Sequence, residues 1–358
     1  MVDIVLKILL LLSPIAYGTN VSLNRFDLIF FYLATLSLIT ASLFDTPART
    51  FKNIKIPLGA FLILIFINIW WSSFNQIVLA NVLNIMFAAV SLMIIIMYAK
   101  EPKRYFKYIV YAGLINVVVF LFQKMGFNPI LNGDLYKGEE GGIMGNAPRL
   151  VSYLTLAFPF VPIWCKGIFL VVALIVKEFT LIGLAWLMAI VFCIKNIKRK
   201  YFNVFLISLI VIALGGIAKY FSNIYQSFYL RWTIWKPTIE LIFKRPFLGY
   251  GFGIYPEVAS QFTKLIFVGQ PTNCAFSSVL QFTFEIGLLG IVWIGFIIKY
   301  YKKYFSFNLM SKEEWGMVAL LMLSLVEYPF QIPRLWITMI AIVGFFIIKI
   351  TKEAENVS

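Results

Sequence analysis

The sequence contains no histidine, and only 13% of its residues are charged. The first absence removes the commonest general base near neutral pH and the commonest metal ligand. Ordinary globular domains carry about a quarter charged residues. So low a share, in a chain that is 61% hydrophobic, implies an integral membrane protein. Acids are scarcer than bases: 16 Asp and Glu stand against 31 Lys and Arg, a net charge of +15. In a soluble protein that excess would suggest nucleic acid. Here the cations lie mostly at the ends of apolar runs, where membrane topology accounts for them, so no nucleic-acid partner is expected. The cysteines are few, and Cys165, Cys193 and Cys274 lie in or beside apolar segments without metal-ligand spacing. They read as packing residues, and neither a metal nor a cofactor is expected.

What the chain has in abundance is apolar runs. A bilayer core requires about 20 apolar residues per helix, fewer where neighbouring helices shield a short one. On that rule the sequence predicts an all-α polytopic membrane protein forming one membrane domain over 1–358. About twelve spans centre on 4–18, 26–44, 57–72, 77–99, 105–123, 149–164, 167–176, 179–194, 201–217, 273–298, 315–328 and 334–350. Lys and Arg crowd alternate short connections: Arg49, Lys52 and Lys55; Lys100 to Lys107; Lys195 to Lys200; Lys299 to Lys312. The intervening connections hold little beyond Arg25 and Arg334. Because short basic loops stay in the cytoplasm, this alternation predicts that both termini are cytoplasmic.

Two longer hydrophilic segments fall on the outer side of that topology. Residues 124–148, rich in Gly, Asn and Pro, read as an irregular loop. The other, 219–272 between spans nine and ten, holds six Lys/Arg against two acids, with aromatics among the cations. Within it Gln226 to Arg245 suits a helix lying on the membrane, interrupted or bent at Pro237. Trp232, Trp235, Ile239 and Ile242 recur at helical spacing and predict its apolar face. The alternation Gly249-Tyr-Gly251-Phe-Gly253 follows no strand of a βαβ unit, so it reads as a turn with close backbone packing rather than a nucleotide loop. A basic, aromatic-rich segment against a membrane suits a ligand with an anionic end and a greasy or sugary body.

Charges in or beside spans are costly in hydrocarbon and mark candidate sites. They are Lys177 and Glu178 between two short spans, Glu285 inside the tenth, and Glu327 and Arg334 around a turn broken by Pro329 and Pro333. For Glu285 a structural hydrogen bond or ion pair is the competing account. For Lys236, Lys244, Arg245 and Lys264 it is ordinary solvated charge.

Gly145-Asn146-Ala147-Pro148 leads into Leu154-Thr-Leu-Ala-Phe-Pro159. Arg231, Trp235 and Ile239 precede Pro246-Phe-Leu-Gly249-Tyr-Gly251-Phe-Gly253. Asn273-Cys-Ala-Phe precedes Glu285-Ile-Gly287-Leu-Leu-Gly290, and Glu327-Tyr-Pro329 follows near the C-terminus. In order and spacing these pieces resemble the O-antigen ligase and O-antigen polymerase superfamily of bacterial membrane glycosyltransferases, over about residues 140 to 345. Two departures stand out. Thr272 occupies the position of the family's histidine, and Leu181-Ile182-Gly183 stands where the family has Ser-Arg-Gly, with Lys177 one turn earlier as an available cation.

The resemblance implies metal-independent transfer of a glycan from a polyprenyl-diphosphate carrier to a glycan or lipid acceptor, at the outer face of a bacterial inner membrane. It implies Arg231 on the diphosphate, with Lys236, Lys244 or Arg245 as secondary help. Independently, residues 124–148 and the Glu327–Arg334 turn break helical structure at the outer face and are expected to line one cavity with the large loop, Arg149 and Arg334 adding charge to its wall. Thr272 and Asn273 would lie at the substrate. A diphosphate leaving group requires cations, and an acceptor hydroxyl benefits from a base. Without the histidine that base falls to a carboxylate: Glu285, Glu327 or Glu257. Two other readings compete. One is a lipid-linked glycan binder or partner subunit that kept the fold and lost the chemistry. The other is a polysaccharide transporter or flippase, for which polar residues along several spans and an internal repeat are expected; the polar residues here gather on the outer loops.

Overall fold

The computed structural model describes residues 1–14, 23–48, 59, 76–127, 141–144, 147–176, 225, 228–263, 274–301, 311–327 and 329–357. The expected spans at 179–194 and 201–217, and all but one residue of that at 57–72, lie outside the described residues. So do Lys177, Glu178, Lys264, Thr272 and Asn273.

Every regular element among the described residues is helical. In chain order they are α1 (Val2–Leu12), α2 (Leu23–Leu43), α3 (Gln76–Tyr98), α4 (Phe106–Lys124), α5 (Ala147–Ala157) and α6 (Ile163–Val176). Then come α7 (228–244), α8 (Tyr255–Thr263), α9 (Ser278–Ile286), α10 (Leu288–Tyr301), α11 (Lys312–Val326) and α12 (Pro333–Val357). Three segments, Ala80–Tyr98, Pro102–Lys124 and Pro333–Lys352, are long and apolar enough to cross a membrane. The predicted single span at 273–298 is instead two helices, because Gly287 adopts φ +75° and ends the first.

The helix α12 is the axis of the bundle, packed against α2, α3 and α11. Small residues let these helices approach: a Cβ on Gly344 would meet Ile95, and one on Gly316 would meet Phe160. Without a hydrophobic drive between helices in lipid, such close van der Waals contact is what holds a bundle. Hydroxyls add short links between α2 and α3, with the Thr35 and Ser91 oxygens 2.8 Å apart and Tyr32 donating to Asn84 at 2.6 Å.

The helices alternate in direction, so the bundle has two ends. At one, Tyr105 donates to Asp3 at 2.7 Å, Lys349 pairs with the buried Glu314 at 2.8 Å, and the Lys312 ammonium reaches the Phe160 carbonyl at 3.4 Å. Lys7, Lys103, Arg104, Lys107 and Lys166 belong to this end as well. At the other, Ser13 donates to the Arg334 carbonyl at 2.8 Å and the Gly142 N–H donates to Gln123 at 2.9 Å. Asn116, fully buried in α4, ties that far end together: its amide donates to the Pro14 carbonyl at 3.4 Å and its oxygen accepts from the Ile143 N–H at 3.1 Å. Helix α7, with the segment after it, docks at the far end.

Candidate functional site

The site is assembled where α7 meets the broken helix pair α9–α10 and the end of α11. The inward face of α7 is Arg231, Ile234, Trp235 and Thr238, at helical spacing, with Leu241 and Ile242 packed beyond them. Trp232 is 47% exposed and stacks on Phe228, while Arg231 takes the buried side. The reason is a buried partner: the Arg231 guanidinium donates to the Glu327 carboxylate at 2.6 Å, and both residues are buried. The helix runs on through Pro237, which is half-buried.

The Trp235 indole donates to the Ala275 carbonyl at 2.7 Å, and the Arg231 guanidinium lies 5.9 Å from the Phe276 ring centre. Phe276 is the one described non-glycine residue with positive φ, at 49°. That turn aims its ring at Arg231 while leaving Ser277 to cap α9, its oxygen accepting from the Leu280 N–H at 3.3 Å. Ser278 then donates its backbone N–H to the Glu327 carbonyl at 2.9 Å. Glu327 is thereby fixed twice, through its carbonyl and through its carboxylate.

The glycine alternation does what its spacing predicts, and the reason is visible. The break at Gly287 leaves carbonyls unpaired at the end of α9 and N–H groups unpaired at the start of α10. The Tyr250 and Gly251 N–H groups donate to the Phe284 and Glu285 carbonyls, both at 3.0 Å, and the Pro246 carbonyl accepts from the Leu288 N–H at 2.7 Å. Backbone lies on backbone. A Cβ on Gly249 would sit 2.5 Å from the Phe284 and Glu285 carbonyl oxygens, so only glycine fits. Tyr250 stacks flat on Phe284 at 4.7 Å, and Tyr255 meets the same ring edge-on at 5.1 Å. Burial pushes the Tyr255 phenol above its ordinary range, so it stays protonated in its 2.9 Å hydrogen bond with Thr238.

Glu285, on α9, is buried beneath this lid. Gln281 donates to it at 2.9 Å, and the Gly253 and Tyr255 backbone N–H groups donate to the same carboxylate. The other face of Gln281 accepts the Ala275 N–H at 3.2 Å. Glu285 therefore pins the loop after α7 to the broken helix. Its i, i+4 neighbour Gln281, and Thr238 and Tyr255, escaped the sequence reading. A glutamine one turn before an intramembrane glutamate was the available signal for the first.

Of the remaining candidates, Arg334 is buried at the start of α12 and donates to the Ile143 carbonyl at 2.7 Å, joining the 124–148 segment to the turn after α11. Arg149 is half-buried in the first turn of α5. Lys236 and Lys244 are exposed on the outer side of α7, and Arg245 lies over the Tyr250 ring at 4.8 Å. These three are not gathered around Arg231. Glu257 is exposed in the first turn of α8. Among the described residues no group of Cys, Asp and Glu is placed to hold a metal ion.

Fold and site define an all-helical protein with membrane-length apolar helices and a buried Arg–Glu pair where α7 meets a broken helix. The chain matches no protein-family model and no curated protein.

Proposed function

We propose that this chain is a multi-pass protein of the bacterial inner membrane, of about twelve spans with both termini cytoplasmic. It transfers a glycan from a polyprenyl-diphosphate carrier to a sugar acceptor, as the resemblance to O-antigen ligases and polymerases implies. The observation that carries this reading is the buried pair of Arg231 and Glu327. A buried ion pair contributes little net stability compared with apolar packing of the same volume, so its presence points to use. Arg231 offers a planar fork suited to two phosphate oxygens, and Glu327 is the carboxylate that a diphosphate would displace.

In the reaction the acceptor hydroxyl oxygen attacks the anomeric carbon of the donor sugar. The bond from that carbon to the phosphate oxygen breaks, and the electron pair leaves on the diphosphate, where Arg231 stabilises it. Glu327, released from Arg231, accepts the hydroxyl proton. Glu285 already accepts from three donors and serves as the pin of the loop. A second reading, a lipid-linked glycan binder without turnover, is favoured by Thr272 standing where the resemblance calls for a histidine. Purified protein supplied with lipid-linked oligosaccharide and acceptor separates the two: elongated product supports transfer, and bound but unconverted donor supports the binder.

A further inference from the structure

A concave feature lies at the opposite, lysine-rich end. It is a cavity of about 760 Å³ bounded by α4, the α5–α6 connection and the start of α11. That volume lies within the roughly 300–1,000 Å³ of ligand-holding clefts. One wall is a helical stripe, Lys103, Phe106, Lys107, Val110, Tyr111 and Leu114, in which cations come first and apolar side chains follow. From Phe106 to Leu114 it runs roughly 12 Å along α4 at about 1.5 Å per residue, most of the depth of one leaflet of a ~30 Å hydrocarbon core. Lys312 faces it across the mouth, its ammonium near the Phe160 carbonyl, with Glu313 as the one acid of the lining. Three lysines at the mouth and an apolar floor reaching most of the way through one leaflet match one kind of molecule in shape and charge.

We infer that this cavity binds an anionic phospholipid of the adjoining leaflet, its phosphate at Lys103, Lys107 and Lys312 and an acyl chain along Phe106, Val110 and Leu114. The lysine-rich end is the one that charge distribution assigns to the cytoplasm, where anionic headgroups attract basic segments. The inference does not depend on the transferase reading, since the two sites lie at opposite ends of the bundle.

The test is lipid retention by the purified full-length protein in detergent, read by native mass spectrometry with phosphatidylglycerol or phosphatidylcholine added at equal mole fraction. Phosphatidylglycerol should be retained selectively. Each lysine near an anionic lipid is worth roughly a fivefold change in binding, so the combined Lys103→Gln, Lys107→Gln and Lys312→Gln variant should bind on the order of a hundredfold more weakly. Lys352→Gln, at the same end but outside the cavity, should bind as wild type. Equal retention of phosphatidylcholine, or undiminished binding by the triple variant, overturns the site. Thermal stabilisation by inorganic phosphate equal to that by phosphatidylglycerol overturns the lipid in favour of a free anion. Should the triple variant not fold, photoactivatable phosphatidylglycerol on wild-type protein decides: crosslinks belong on Phe106–Leu114, and crosslinks confined elsewhere refute the assignment.

Discussion

The Arg231 guanidinium donates to the Glu327 carboxylate at 2.6 Å across 96 residues of chain, joining the loop helix α7 to the end of α11. Neither partner has much access to water, so each depends on the other for compensation. Removing one leaves an uncompensated buried charge, which typically costs 3–5 kcal/mol. Arg231→Ala should therefore lower the melting temperature in detergent markedly. The double variant Arg231→Met/Glu327→Leu should recover most of the loss. A single variant as stable as wild type would show that the pair is not desolvated.

The glycines on either side of the helix break make a second expectation. Ala at Gly249 meets two carbonyl oxygens, and at Gly287 it meets the Phe247 carbonyl, both at positive φ. Strain of that kind costs on the order of 1–3 kcal/mol per residue before any clash is counted. Gly249→Ala and Gly287→Ala should both undock the loop and reduce yield of folded protein. Gly295→Ala, on α10 with open space around it, should be neutral or slightly stabilising. Thermal stability that ranks the three otherwise would refute the backbone docking.

Glu285 gives a third. Glu285→Gln keeps the shape but replaces an acceptor by a donor facing N–H groups, leaving buried groups unsatisfied at about 1–3 kcal/mol. The segment 246–263 should become markedly more sensitive to limited proteolysis while the long helices stay protected. Unchanged cleavage would mean that the carboxylate does not pin the loop.

Topology supplies a fourth. Reporter fusions after Lys264 should be active only outside the cytoplasm, and fusions after Lys103 only inside. A reporter after Lys264 that works only in the cytoplasm would reverse the orientation of both sites.

Much of the frame was legible because apolar run length and lysine placement are direct consequences of burial in lipid. The helices at Gln76–Tyr98, Phe106–Lys124 and Pro333–Val357 lie where those runs predict. Gly249, Gly251 and Gly253 were legible as close packing, though not what they pack on. The break at Gly287 was not, since an unbroken apolar run hides which backbone groups a distant loop will satisfy. The buried side of α7 was hidden for a related reason. Hydrophobicity marks Trp232 as membrane-facing but does not show that a partner 96 residues away turns Arg231 inward, with Trp232 stacked on Phe228 outside.

The central claim is that Arg231 stabilises a leaving diphosphate, and turnover of lipid-linked glycan by the purified protein tests it most directly. Arg231→Lys preserves a cation opposite Glu327, so the variant should fold and bind donor, yet lose roughly 100-fold or more in rate for want of the bidentate fork. Glu327→Gln should lose rate as well, and Thr272→His should raise it by supplying a base. Turnover by Arg231→Ala equal to that of wild type would contradict the account.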